Sequence, residues 1–338
     1  MSDIRNDLVD TIDRLAEEHG TREMREAAEN GTWPARLWQA MEEIGLPRAL
    51  LPEAAGGAEL EFGDAMAALK ATAAHALPVP LAETMLAGRM LAAAGLDVPE
   101  GPLTIVPGRP DDTLTPDRGL AHRMPWGADC GYAAAVSGDD IVMLLRRGEV
   151  VRTEPNLARE PRVTLRFERQ HCVARATLAG ARERLELEGA LLRSVQMTGA
   201  LGRILAYGVQ YANERVQFGK PIGKFQAIQH MLAVLAGHAA ASAAVTDAAV
   251  EASTEFPDAF LVAAAKARVG EAAGRSAEIV HQVHGAMGYT QEHNLHYSTR
   301  RLWAWRDEFG NESRWQRRLG REIAAAGAEA LWPRIAGA

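Results

Sequence analysis

The stretch Arg215-Val216-Gln217-Phe218-Gly219-Lys220-Pro221-Ile222-Gly223-Lys224-Phe225-Gln226-Ala227-Ile228-Gln229-His230 decides how the chain is read. Unbroken Ala/Leu-rich sequence leads into it from about Leu185, and similar sequence leaves it as far as about Ser253. Glycine and proline crowd its centre, so it joins two long helices through a tight turn. A second dense segment, Gln282-Val283-His284-Gly285-Ala286-Met287-Gly288-Tyr289-Thr290-Gln291-Glu292-His293, ends a third helix that opens at Pro257. A fourth is expected over about Glu292 to Trp305, and another helical stretch over Glu312 to Leu331. Long helices with short connections predict an antiparallel four-helix bundle over 183–338. Glycine at both turns lets backbone approach a ligand. Arg215, at a helix C-terminus, either caps that helix as a solvated cation or grips a phosphate through paired N–H donors.

Upstream, residues 101–182 change character. Val163, Leu165 and Phe167 alternate with Thr164, Arg166 and Glu168, the period of a half-buried strand. Ile141 to Leu145 is a short apolar run between Asp139-Asp140 and Arg146-Arg147-Gly148. The segment reads as a small antiparallel β domain. Residues 1–100 read as helical. Leu8, Ile12 and Leu15 share one face, and Leu37, Met41 and Ile44 repeat the pattern before Gly45 and Pro47. More helix is expected from Phe62 to Leu96, broken near Pro78 and Pro80. The fold class is α+β, mainly α: N-terminal helical domain, small middle β domain, C-terminal four-helix bundle.

Composition narrows the function classes. The 338 residues are 47% apolar and 24% charged, which excludes a disordered or collagen-like chain. A net charge of −7 argues against a nucleic-acid partner. The two cysteines fit a reducing compartment. The N-terminus lacks the apolar core of a signal peptide. The longest apolar stretch, Met231 to Val245, is shorter than the roughly 20 residues of a membrane helix. The expectation is a soluble, cytoplasmic protein with no membrane partner. There is no GxGxxG after a strand, no P-loop and no HExxH. His281 and His284 stand three apart without a third ligand, so no metal site is expected.

Together the two dense segments resemble the acyl-CoA dehydrogenase family. The pattern R-x-x-F-G-x-x-I-x-x-F-Q-x-x-Q is met at Arg215, Phe218, Gly219, Ile222, Phe225, Gln226 and Gln229. The pattern Q-x-x-G-x-x-G-(Y/F)-x-x-E is met at Gln282, Gly285, Gly288, Tyr289 and Glu292. Leu37-Trp38, Gly45-Leu46, Leu51-Pro52-Glu53 and Gly56-Gly57 extend the likeness toward the N-terminus. The resemblance implies FAD as cofactor, an acyl-CoA substrate and α,β-dehydrogenation to the 2-enoyl-CoA, with electrons passed to an electron-transfer flavoprotein. It implies that Arg215, Phe218 and Gln226 hold the adenine and pyrophosphate of FAD, with Gln282, Gly285 and Gly288 wrapping the same cofactor across a subunit interface. The assembly it implies is a homodimer, a homotetramer or a heterotetramer with a related chain.

Three departures bear on activity. The family's base is usually a Glu before Gly, yet the position before Gly310 is Phe309; Asp307 and Glu308 precede it as candidate bases. The alternative family position holds Leu192, beside Arg193. The family's Thr-Glu stretch leading to Gly-Ser-Asp is absent; Thr153-Glu154-Pro155 comes too late, and Pro125-Trp126-Gly127 is the candidate for that loop. Ala286 replaces the second Gly of a Gly-Gly pair. Three readings follow: an active dehydrogenase using Glu308 or Asp307, a non-catalytic partner subunit completing the FAD site of a heteromeric enzyme, or a flavin-free helical scaffold.

Overall fold

The apolar spacing read in the N-terminal sequence is realised as helix packing. The computed structural model describes residues 3–138, 140–253 and 255–336. In α1 (Asp3–His19), Ile12 and Leu15 are buried. α2 (Arg22–Glu29) starts at Thr21, whose hydroxyl accepts the Met24 N–H at 3.2 Å. α3 (Ala35–Glu43) buries Leu37, Trp38 and Met41. Ile44 falls outside that face: it caps the helix and is exposed, because Gly45 at φ 70° turns the chain away. Pro78 and Pro80 separate α4 (Phe62–Ala74) from α5 (Leu81–Ala93).

Seven strands follow: β1 (Leu103–Ile105), β2 (Arg118–Pro125), β3 (Tyr132–Ser137), β4 (Ile141–Arg146), β5 (Glu149–Pro155), β6 (Pro161–Glu168) and β7 (Cys172–Thr177). They form two sheets, ordered β1-β3-β4-β7 and β2-β6-β5. The expected antiparallel pairing fails at one edge. β1 runs parallel to β3, with Leu103 opposite Tyr132 and Ile105 opposite Ala134. Parallel neighbours need a crossover connection, and the excursion through β2 in the second sheet provides it. The alternation holds in part: Val163, Leu165 and Phe167 are buried against Ala121, Met143 and Leu145 while Arg166 and Glu168 face water, but Thr164 is buried too.

The helical sequence resumes with α6 (Ala181–Glu214). Val216–Gln217 (β8) and Lys220–Pro221 (β9) then form a small hairpin, so the helix stops short of Gln217. α7 (Gln226–Glu251) runs beside α8 (Ala259–His284). The α8 start is fixed by Asp258, whose carboxylate accepts the Leu261 N–H at 2.8 Å. Then come α9 (Leu295–Asp307), α10 (Glu312–Ala326) and α11 (Leu331–Ala336). The apolar stretch Met231–Val245 lies inside α7, whose 26 residues are by length and composition alone enough to cross a membrane.

The chain divides into units 1–192 and 193–338. Within the first, α5 and α6 are joined by Glu188, which is wholly buried. Its carboxylate accepts Arg89 Nη2 at 3.1 Å and Arg184 Nε at 2.9 Å. Truncating one member of such a pair strands a buried charge, which costs roughly 3–5 kcal/mol. Glu188→Ala is therefore expected to lower the unfolding free energy by about that amount in urea titrations, and Glu188→Gln by less.

Candidate functional site

The 215–230 segment folds around a two-residue hairpin loop. Phe218 at φ 51° and Gly219 at φ 79° occupy the two central positions, both left-handed. This is the conformation of a type I′ turn, natural for glycine and strained for phenylalanine. The Phe218 ring is nevertheless 92% exposed, touching Phe225 edge-on with ring centroids 6.2 Å apart. Strain and exposure of a large apolar side chain at one position point to a binding role. The Ile222 N–H donates to the Arg215 carbonyl at 2.8 Å, which closes the hairpin and leaves the Arg215 side chain exposed.

Opposite the hairpin, α8 ends at Gly285, φ 59° and ψ −138°, a backbone conformation that L side chains rarely adopt. A groove of about 530 Å³ lies between these elements. Arg215, Phe218, Gln282 and Gly285 line it together. Gln226 and Gly288 do not. Gln226 is exposed at the first turn of α7. Gly288 is buried, and a Cβ there would come within 3.0 Å of His284 Cβ and 3.1 Å of His281 Nδ1. Phe225 of the motif and His284, weighed in the sequence only as a metal ligand, also line the groove, as does Tyr211, which the sequence reading did not single out. Tyr211 lies four residues before Arg215, one helical turn away on the same face, and that spacing was the available signal.

A layer of aromatic rings underlies the groove. Tyr211 stacks on His284 with centroids 4.5 Å apart, His293 meets His284 at 4.7 Å, and His281 stacks on Tyr289 at 4.8 Å. Burial holds the His281, His284 and His293 imidazoles below the usual 6.5. Among the described residues no group of three or more His, Cys, Asp or Glu side chains is placed to hold a metal.

The candidate bases lie at another place in this unit. α9 ends at Asp307, which is exposed. Glu308 follows in extended conformation, φ −73° and ψ 137°, then Phe309 at φ 53° and Gly310 at φ 92°. The Glu308 carboxylate accepts Nε of Arg193 at 2.7 Å. Arg193 is buried, lies over the Trp305 ring at 5.8 Å, and also donates to Gln196. Below this corner Lys266 is wholly buried, its ammonium donating to the carbonyls of Arg306 at 2.6 Å and Gly310 at 2.8 Å. Burial pushes Lys266 down to about 7, with Glu308 and Asp307 opposing the shift. Trp315 Nε1 donates to the Phe309 carbonyl at 3.0 Å. The 305–310 corner is thus fixed from three sides.

With this geometry in place, comparison with known proteins gives a definite answer. The N-terminal domain of acyl-CoA dehydrogenase matches residues 2–97, and the C-terminal domain of acyl-CoA dehydrogenase matches residues 178–311. The chain belongs to the acyl-CoA dehydrogenase family. Acyl-CoA dehydrogenase IpdE2 of Mycolicibacterium smegmatis is 28% identical over 96% of this chain and 100% of that protein. Its namesake from Mycobacterium tuberculosis is 30% identical over 86% of this chain and 88% of its own length. Among solved structures, a chain of the ChsE4-ChsE5 complex from Mycobacterium tuberculosis superposes with TM-score 0.87 at 21% identity, covering 97% of this chain and 99% of the other. A chain of the Tcur3481-Tcur3483 steroid ACAD superposes at TM-score 0.85 and 22% identity, over 95% and 98%.

Trp126, in Pro125-Trp126-Gly127, is buried at φ 55° with its indole edge-on to Trp33, centroids 6.3 Å apart. Glu154 of Thr153-Glu154-Pro155 is bound to Arg152 at 2.7 Å and to Arg123.

The histidine layer predicts a pH dependence. As pH falls below about 6.5, the unfolded chain takes up protons that the folded imidazoles, held lower, still refuse. Stability is therefore present above that value and declines as pH falls through the folded-state titrations. Denaturation midpoints are expected to drop between about pH 7 and pH 5, with a shallower drop in His284→Phe.

Proposed function

We propose that this chain is one subunit of a heteromeric, FAD-dependent acyl-CoA dehydrogenase that converts an acyl-CoA to the 2-enoyl-CoA and passes electrons to an electron-transfer flavoprotein. In it, this chain completes the FAD site and a related chain supplies the base. The observation that carries the reading is the Arg193–Glu308 pair. A general base for a carbon acid needs a carboxylate free to take a proton and set among apolar groups that raise its pKa. Glu308 instead offers an oxygen to a buried guanidinium, Asp307 faces water, and Leu192 is apolar.

The groove fits the nucleotide half of FAD. Arg215 would pair with the pyrophosphate, Gln282 would hydrogen bond beside it, and the Gly285 backbone would allow close approach. FAD, when bound, supplies the hydride acceptor of the reaction. The chain's own part is to bind and orient: Arg215 fixes the anionic centre, and Tyr211 with Phe225 gives apolar walls that exclude water. Docking by a related chain is supported by α7, which leaves Ala233, Val234, Gly237, Ala240, Ala241 and Ala244 exposed along one side. Two structural neighbours, the ChsE4-ChsE5 complex and the Tcur3481-Tcur3483 steroid ACAD, are named for pairs of proteins. The steroid ACAD among them makes a bulky acyl group the substrate class to try first.

The test is flavin retention and reduction. The chain purified alone with added FAD is expected to keep little flavin. Co-purified with a longer related chain, it is expected to keep flavin that bleaches anaerobically on adding acyl-CoA. Arg215→Ala in this chain should weaken flavin retention by the assembly at least about tenfold. Flavin held by this chain alone and bleached by acyl-CoA would overturn the partner-subunit reading in favour of a self-sufficient enzyme.

A further inference from the structure

One polar atom of the groove has no structural explanation. The His284 ring is 2% exposed, lines the groove and stacks on Tyr211. Its Nδ1 lies 2.8 Å from the Val280 carbonyl oxygen. A carbonyl only accepts, so Nδ1 carries the proton and donates it. In the neutral ring Nε2 is then a bare acceptor. No donor among the described residues reaches it. The neighbouring imidazole of His293 makes no hydrogen bond to it, and His293 Nδ1 is already accepting the Leu295 N–H at 3.0 Å. Buried acceptors without a donor are rare, because desolvating them is costly.

The same groove is lined by Arg215, a cation. A ligand that satisfies both groups carries an anion and, beside it, an N–H or O–H donor. Nucleotides have this pairing: phosphate next to ribose hydroxyls, and an exocyclic amine on adenine. We propose that His284 is a specificity-determining contact, its Nε2 accepting a hydrogen bond from a donor on the nucleotide that Arg215 anchors by its phosphates. This rests on the nucleotide reading of the groove given above. Tyr211 is the positioning residue, holding the imidazole from one face while the Val280 carbonyl fixes its tautomer. Ligands with the anion but without the donor are bound less tightly.

The experiment titrates the full chain, assembled with the longer related chain and freed of flavin, with ADP, and with its 2′-deoxy, 3′-deoxy and N6,N6-dimethyl analogues, by calorimetry. One analogue is expected to bind the unaltered chain about tenfold more weakly than ADP does. His284→Phe, which keeps a ring against Tyr211 but has no acceptor, should bind ADP about tenfold more weakly and no longer distinguish that analogue. ADP binding unchanged in His284→Phe, or discrimination retained by it, overturns the proposal. In that event loss of ADP binding in Arg215→Ala would leave the nucleotide reading standing. Absence of ADP binding by the unaltered chain overturns both. Should His284→Phe not fold, the unaltered chain decides: its His284 Nε2 nitrogen resonance must move on adding ADP and move less with the disfavoured analogue. A resonance that stays put overturns the proposal.

Discussion

A buried guanidinium must be paired, and in this protein that requirement shapes the corner that holds both candidate bases, Asp307 and Glu308. Arg193 is 3% exposed and its carboxylate partner is Glu308. Breaking such a pair leaves a charge in a medium that solvates it poorly. The corner is therefore built to keep Glu308 in place. Lys266 ties the carbonyls of Arg306 and Gly310, and Trp315 ties that of Phe309. A segment held this firmly can afford two successive left-handed residues, Phe309 and Gly310, which turn the chain from α9 into α10. The pairing that makes the corner rigid also occupies the carboxylate nearest the expected base position.

The groove obeys the opposite logic. Its charged and aromatic groups are left open: Arg215 and Phe218 are exposed, and His284 has an acceptor without a donor. A protein folding only for stability would bury the Phe218 ring and relax its backbone. Unit 193–338 thus joins a corner in which polar groups are matched to a groove in which they are not. Matched groups support structure, and unmatched ones await a ligand or a partner.

Much of this was legible in sequence because it is local. The strand at 161–168 and the helix burying Leu37 and Met41 follow from periodicity, which needs no knowledge of distant residues. The break between two helices at 215–223 follows from its glycines and proline, and the family from two spaced motifs, but the strand pairing inside that break does not. The parallel pairing of β1 with β3 was not legible, since nothing in Leu103–Ile105 specifies which strand lies beside it. Nor was the Arg193–Glu308 pair, whose members lie 115 positions apart. Gln226 and Gly288 carried the motif yet stand outside the groove, because a motif records which residues recur and not which atoms line a surface. His284 was visible only as one of two histidines spaced for a metal. Its protonation state depends on the Val280 carbonyl one turn back in α8.

On packing and stability grounds alone an apolar residue would serve better than His284 at this position. A leucine or phenylalanine would fill the same volume beside Tyr211 with no orphaned atom. The imidazole carries a cost at acid pH from its burial and then from its neighbours His293 and His281, and it carries an unsatisfied nitrogen. Each of these terms weighs against the folded chain by itself. They are offset only if something outside the chain donates to Nε2. The anion-binding side chain that shares the groove, Arg215, limits what that something is: a charged molecule with a donor close to its charge, held where hairpin and helix end converge.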